Sequence, residues 1–336
     1  MSGIDQEGWI LCDRGKTGTY RQCLALANAI EASYSVKIFH KEILLNRLWR
    51  YLPPQCAYFH TRPELLQQDP FSLQKPYPSF IIAAGRQAVT AAMAFRRHSF
   101  TIVLQNPHLK SSYFDLIIPP FHDQVRGDNV FSTIGALHPV RPETLLSLRK
   151  NPEILRKYSS YPEKRIAVLV GGDNKYYRYT LEFIESMIRR LQHMVTEHPI
   201  YKGGSLLLTP SRRTRPELVS MLREGLRDAS CQIWDGKGDN PYLEYLAIAD
   251  ALVVTGDSVS MMSEACLMGK PVYVAEVPMK NLRFKRFKES LYDNKHASCF
   301  FDELIVDNFK ALDELNRVQE IVIEKIRPFL KSAITA

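Results

Sequence analysis

Between Thr255 and Glu264 the chain reads TGDSVSMMSE, and side chains of these types at this spacing suit anion and sugar recognition. The stretch follows an apolar, β-branched run (Leu252, Val253, Val254), so a buried strand turns there into a helix. Thr255, Gly256, Asp257 and Ser258 make the turn, and Ser258 is a good helix N-cap type. Gly269 and Pro271 stop the helix, and a second apolar strand follows. A helix opening at the carboxyl end of a parallel strand presents free backbone N–H groups and its positive dipole end, and phosphate is the usual anion there. Ser258, Ser260 and Ser263 add hydroxyl donors with Met261 among them, and Glu264 lies where a carboxylate reaches a ribose diol. The plain alternative is an ordinary strand–helix–strand unit whose small residues serve close packing.

Three further loops follow predicted strands. GGDNKYYRYT (171–180) offers Gly171 and Gly172 for close backbone approach and Asp173 as a polar edge. TPSRRT (209–214) sets Ser211, Arg212 and Arg213 just past a strand, and arginine forks match phosphate oxygens. WDGKGDNPY (234–242) carries Gly238 and then Asn240 at a helix opening, a loop type against which a nucleotide base lies.

Near the N-terminus DRGKTGTYRQ (13–22) places Gly15, Lys16, Thr17 and Gly18 after the first strand. It is neither GxxxxGK[ST] nor GxGxxG, so it reads as a loose phosphate loop or as plain punctuation. An inverting group transfer needs a base at the acceptor hydroxyl. Asp13, His122 and Asp123 all fall at predicted strand ends, and the His122–Asp123 pair is favoured because imidazole titrates near neutrality. Each of the three serves equally well as a local structural hydrogen-bonding group.

The elements that must position these loops alternate strand and helix. Strands are expected at 8–13, 35–43, 79–85, 100–106, 115–120 and 129–137, with helices at 18–31 and 86–97. Continuous apolar runs between helices indicate parallel sheets covered on both faces. Residues 140–162 are charged and hold three prolines, and after Lys164 the alternation restarts. The expected organisation is therefore a first Rossmann-like domain at 1–145, a linker at 146–163, a second at 164–305, and C-terminal helices at 306–336. Two doubly wound α/β domains facing a cleft follow, with the last helices packing back on the first domain.

At 336 residues and 45% apolar content the chain can fill two cores. The N-terminal segment lacks an apolar core of signal-peptide type, and no run has the length of a membrane span. Six scattered cysteines without a CxxC pair point to a reducing cytoplasm and to no zinc site. The net charge of +8 suits phosphorylated ligands or an anionic membrane surface, with one basic-aromatic cluster, KNLRFKRFKES, at 280–290. No nucleic-acid motif is present, so no nucleic-acid partner is expected.

GGDNKYYRYT, TPSRRT, GKGDNPYLEYLAIAD and VVTGDSVSMMSEACLMGKPVYV resemble the family named for the plant mitochondrial fission factor of elongated-mitochondria mutants. ILCDRGKTGTYRQCLALANAI, IIAAGRQAV and PPFHD fit the same family, whose bacterial members are assigned as glycosyltransferases. The TGDSVSMMSEA–GKPV segment also looks like the donor region of GT-B transferases such as the lipid-linked muramyl N-acetylglucosaminyltransferase. That resemblance implies a nucleotide-diphosphate sugar as substrate, bound by the second domain, with Glu264 holding the ribose. It implies that Arg14 to Thr19 meet the diphosphate or acceptor, although this loop has fewer glycines. The acceptor is then lipid-linked or of the cell envelope, and no metal or cofactor is needed. The expectation is a cytoplasmic GT-B glycosyltransferase, with the inner membrane face as a peripheral site. The competing class is a noncatalytic adaptor that recruits a protein partner to a membrane, as in mitochondrial fission. A serine hydrolase reading of Gly256-Asp257-Ser258 is disfavoured, because no paired DxxH follows.

Overall fold

A computed structural model describes residues 6–60, 62–68, 73–278, 281–301, 303–304 and 308–330. The chain forms two compact units, Met1–Pro139 with Asp313–Ala336, and Val140–Leu312. Each is built on its own parallel sheet.

In the first unit β1 (Gln6–Asp13) leads to α1 (Thr17–Glu31), and β2 (Val36–Ile43) to the short α2 (Arg47–Tyr51). β3 (Phe80–Ala84), α3 (Arg86–Phe95), β4 (Phe100–Leu104) and β5 (Leu116–Ile118) follow, and the strand order is β2-β1-β3-β4-β5. Every residue of β3 and β4 is buried, as a strand covered on both faces requires. β2 lies at the edge and alternates exposed with half-buried residues. The order reverses between β1 and β3, so the crevice at the carboxyl ends of the strands opens beside Asp13 and Gly85.

The strand expected at 129–137 does not form. The segment makes only single parallel bridges, Ile117 to Val130 and Pro120 to Thr133. β5 runs into Pro119 and Pro120, which have no N–H to donate, so a ladder cannot continue.

In the second unit α4 (Pro142–Lys150) and α5 (Pro152–Lys157) precede β6 (Arg165–Val170) and α6 (Leu181–Thr196). β7 (Ser205–Pro210), α7 (Pro216–Gly225), β8 (Cys231–Ile233), α8 (Tyr242–Ile248) and β9 (Ala251–Thr255) follow. The unit ends with α9 (Val259–Ala265), β10 (Val272–Ala275), α10 (Leu282–Asp293) and β11 (Ser298–Cys299). The order β11-β10-β9-β6-β7-β8 reverses between β6 and β9, which sets the second crevice at Gly171 and Thr255.

The linker expected at 146–163 is folded onto this unit. Leu145, Ile154 and Tyr158 are buried, α4 packs on α8, and the Lys157 ammonium lies 2.7 Å from Glu244. Apolar residues spaced along a charged segment therefore decide its fate, and the boundary falls at Pro139/Val140. α11 (Glu314–Ile326) belongs to the first unit, where Val318, Val322 and Ile326 join the core beside α1. Its Glu314 carboxylate accepts the Ile134 and Gly135 amides, which holds the irregular 129–137 segment.

Seven tyrosines of the second unit (Tyr158, Tyr177, Tyr179, Tyr201, Tyr242, Tyr245, Tyr273) have phenols whose ionisation is pushed upward, chiefly by loss of water. Unfolded phenols ionise near pH 10, roughly, so the folded state then binds more protons and loses stability as pH rises further. The contribution is fully present below that pH. The tyrosinate absorbance of these seven phenols should appear above it together with loss of circular dichroism. Full tyrosinate absorbance from a fully folded chain would contradict this burial.

Candidate active site

The second crevice is organised by Asp257, whose side chain is fully buried. Its Oδ1 accepts the Tyr179 hydroxyl at 2.7 Å and the Thr255 hydroxyl at 2.8 Å. Its Oδ2 accepts the Gly172 amide at 3.2 Å and Arg213 Nη2 at 3.0 Å. Gly171 in turn donates its N–H to Thr255 Oγ1 at 2.8 Å. A Cβ on Gly171 would stand 2.0 Å from the Asp257 carboxylate, and one on Gly172 would stand 2.2 Å from the Arg213 backbone. The paired glycines are therefore required by the protein's own packing, whatever they also offer a ligand. Burial and the Asp257 charge both hold the Tyr179 phenol well above its ordinary range.

The two arginines of TPSRRT part company. Arg213 donates Nη1 to the Gly172 carbonyl at 3.2 Å as well as pairing with Asp257, so its fork is occupied. Arg212 is exposed and has no hydrogen bond or ion pair among the described residues. Ser211 Oγ accepts the Arg213 amide at 3.2 Å, and Thr214 donates to the Gly171 carbonyl. Arg215, not singled out in the sequence, lies 3.2 Å from Asp173 and donates to the Tyr179 carbonyl. Asp173 Oδ1 also accepts the Tyr179 amide at 2.8 Å, so it shapes its own loop.

A second cluster joins α8 and α9. Asn240 Oδ1 accepts the Thr209 hydroxyl at 2.9 Å and the Tyr242 amide at 3.0 Å. The Tyr242 hydroxyl donates to the Glu264 carboxylate, which raises the phenol's pKa further beyond the effect of its burial. Tyr242 is the partner that sequence reading missed; its only signal was an aromatic residue just inside a helix opened by Asn-Pro. Ser258 Oγ accepts the Met261 amide at 3.4 Å as the N-cap, and Ser263 donates to the Val259 carbonyl. Ser260 is exposed and Met261 half-buried. Gly256 donates its N–H to Ala275 at 2.9 Å. Gly236 and Gly238 sit in the exposed 234–240 loop with φ of 87° and 65°, values that favour glycine.

The basic-aromatic cluster is divided by its helix. Lys280 lies outside the described residues. Phe284 packs on Tyr176 and Tyr177, Phe287 is buried, and Lys288 pairs with Glu276 at 2.6 Å beside Gly256. Arg283, Lys285 and Arg286 form the exposed face. The cluster is thus half core, because Phe284, Phe287 and Lys288 share one side of α10.

In the first unit Asp13 closes the crevice in the same way. Its Oδ1 accepts the Ala88 amide at 2.8 Å, and a Cβ on Gly85, where φ is 103°, would meet its carboxyl at 2.6 Å. Burial raises the Asp13 pKa, while the Ala88, Gln87 and Arg86 amides and Lys16 pull it down. His122 Nε2 lies 3.7 Å from Asp123 Oδ1, longer than a hydrogen bond, and both side chains are buried. Asp13 lines a cavity of about 350 Å³ with Trp49, Arg50 and Arg86, and neither His122 nor Asp123 reaches it. Gly15 takes φ of 75°, and Lys16, Thr17 and Gly18 are exposed at the start of α1, which has no side-chain cap.

Replacing Asp257 by Ala should lower stability by about 3 kcal/mol, the scale of leaving the buried Tyr179, Thr255 and Gly172 donors without their acceptor, and Gly171→Ala should also destabilise. Chemical unfolding of both variants checks this. Wild-type midpoints for both would show that the carboxylate is no hub.

Residues 17–326 match the family model described as mitochondrial fission ELM1. The mitochondrial fission protein ELM1 of Arabidopsis thaliana is 29% identical over 68% of this chain and 58% of its own length. An uncharacterised Rickettsia prowazekii protein is 28% identical over 94% of this chain and 97% of its own. The fold is GT-B-like. MurG of Acinetobacter baumannii aligns over 96% of this chain and 93% of its own, with 11% identity and a TM-score of 0.52. The UDP-GlcNAc 2-epimerase of Neisseria meningitidis, solved bound to UDP-GlcNAc, covers 96% and 100%, with 10% identity and a TM-score of 0.50. The match over almost the whole length means that this chain belongs to the mitochondrial fission ELM1 family.

Proposed function

We propose that the second unit binds a nucleoside-diphosphate sugar and that the protein transfers the sugar to an acceptor. The Tyr242–Glu264 bond carries this reading. It fixes a carboxylate on the helix that follows β9, beside the point where the strand order reverses. A carboxylate held there by a phenol is preorganised to accept two hydroxyls of a ribose. Arg212, uncommitted on the neighbouring loop, supplies a fork for the diphosphate. Arg213 instead stabilises the loops through Asp257. The GT-B-like fold, shared with MurG and with a 2-epimerase solved bound to UDP-GlcNAc, supports the same reading.

A noncatalytic reading, in which bound nucleotide governs recruitment of a partner to a membrane, draws on a separate observation. Asp13 accepts a helix amide, and His122 and Asp123 are both buried, so none of the three candidate bases stands free. The raised Asp13 pKa keeps it the better base candidate, because proton abstraction gains from a less acidic carboxyl. Among the described residues no helix is long and apolar enough to cross a membrane, and transfer to a membrane-borne acceptor would require surface contact.

Calorimetric titration of UDP, GDP, CMP and ADP sugars should find one nucleotide class that binds. Glu264→Gln should then weaken it by about 1–3 kcal/mol, the range for a charged hydrogen bond. Silence across all four classes with folded protein would overturn the binding reading. Arg212→Ala should weaken the diphosphate more than the nucleoside, whereas Arg213→Ala should chiefly lower the melting temperature. An equal loss for both ligands would remove Arg212 from the diphosphate.

Asp13→Asn separates transfer from recruitment. A catalytic base should lose roughly two or more decades of turnover while nucleotide affinity holds. Unchanged turnover would place the base elsewhere, and binding without any release of nucleotide would favour the noncatalytic protein.

A further inference from the structure

We propose that the first unit carries a phosphate-binding groove at the carboxyl ends of its strands, centred on Arg86. The groove stands on features of this unit alone and does not rest on sugar transfer. Three adjoining cavities form it. The first, of about 350 Å³, has apolar walls from Leu45, Trp49 and Leu52. The second, of about 380 Å³, shares Pro54, Arg86 and Thr90 with the first. The third, of about 670 Å³, opens widely to solvent and shares Asn106, His108 and Leu109 with the second.

Charge along these cavities is one-sided. The cations Arg50, Arg86, Lys110 and Arg126 line them, against the carboxylates Asp13 and Asp123. Asp13 accepts the Ala88 amide of α3, and the Asp123 side chain is only 5% exposed beside His122. Arg86, Lys110 and Arg126 make no side-chain hydrogen bond or ion pair among the described residues. Cations that outnumber the carboxylates and are left unpaired attract an anion, and guanidinium forks select phosphate oxygens.

Backbone strain gathers in the same place. Of the six non-glycine residues with positive φ among the described residues, Gln105, His108 and Gln124 border the groove. Such conformations carry strain and tend to cluster at ligand sites. The apolar first cavity gives the ligand's apolar body a matching wall, while the cations hold its charged end. The α2 helix that supplies Trp49 and Arg50 also bears Leu48 and Tyr51, 65% and 83% exposed, and no acidic residue occurs between Glu42 and Glu64. The ligand class is a phosphate or diphosphate ester with an apolar body, from a lipid headgroup or a soluble ester.

The test uses the full chain, with inorganic pyrophosphate as probe in calorimetry. Arg86→Ala should weaken pyrophosphate at least about tenfold, the effect of one charge-assisted hydrogen bond, and Arg86→Glu should abolish this site. Arg86 is exposed without partners, so both variants should keep the wild-type melting temperature. The site should persist in Arg212→Ala, which alters only the second unit. Co-sedimentation with phosphatidylglycerol vesicles, reversed by pyrophosphate and lost in Arg86→Glu, assigns the lipid headgroup. Pyrophosphate binding without vesicle binding assigns the soluble ester, and either result upholds the groove. Wild-type pyrophosphate affinity in Arg86→Glu, or loss of the site in Arg212→Ala alone, would overturn it.

Discussion

A carboxylate at the reversal point of each sheet is the constraint on which the rest depends. In the second unit Asp257 takes donors from β9, from the loop after β6, from Tyr179 and from Arg213. In the first, Asp13 at the end of β1 takes the amide of Ala88 in α3, which follows β3. Each carboxylate faces a glycine on the adjacent strand-end loop, Gly171 or Gly85, where any Cβ would collide with it. A parallel sheet splays its connections apart at the reversal, leaving strand-end amides without partners. A buried carboxylate satisfies those amides, and the amides in turn make its charge tolerable out of water.

The consequence for ligand chemistry is a division of labour among similar side chains. Arg213 and Asp173 are committed to holding loops, through Asp257 and Arg215 respectively. Arg212 is left unpaired among the described residues and Glu264 is oriented by Tyr242, and the proposed ligand site rests on these two. Lys288 belongs to the first kind, because its ammonium pairs with Glu276, and Tyr292 donates to the same carboxylate at 2.7 Å. Supporting charges of this sort keep the strand-end layer rigid, as a site needing preorganised contacts requires.

Much of the fold is legible in the order of residues alone. Apolar runs such as FIIAA and ALVVT are long enough, and bounded sharply enough by glycine, proline and serine, to declare buried parallel strands. The capping role of Ser258 and the glycine stop at Gly269 follow from local backbone chemistry. Less legible are segments whose local signals conflict. Residues 129–137 look like a strand, but the two prolines that end β5 deny them a ladder. Residues 146–163 look like a linker by charge, yet Ile154 and Tyr158 anchor them to the second unit.

The sequence by itself determined the doubly wound units, the four loops at the second sheet's strand ends and the family to which the chain belongs. These depend on periodicity, turn residues and motif spacing, all local properties of a chain. Only the tertiary structure decided which member of each loop is committed to the protein. Arg212 and Arg213 are adjacent and chemically identical, and what separates them is Asp257, 44 residues away in the chain. Glu264 gains its phenol partner across 22 residues, and Asp13 its helix amide across 75. Hydrogen bonds are short-ranged and directional, so their partners are set by the packed geometry and not by neighbours along the chain.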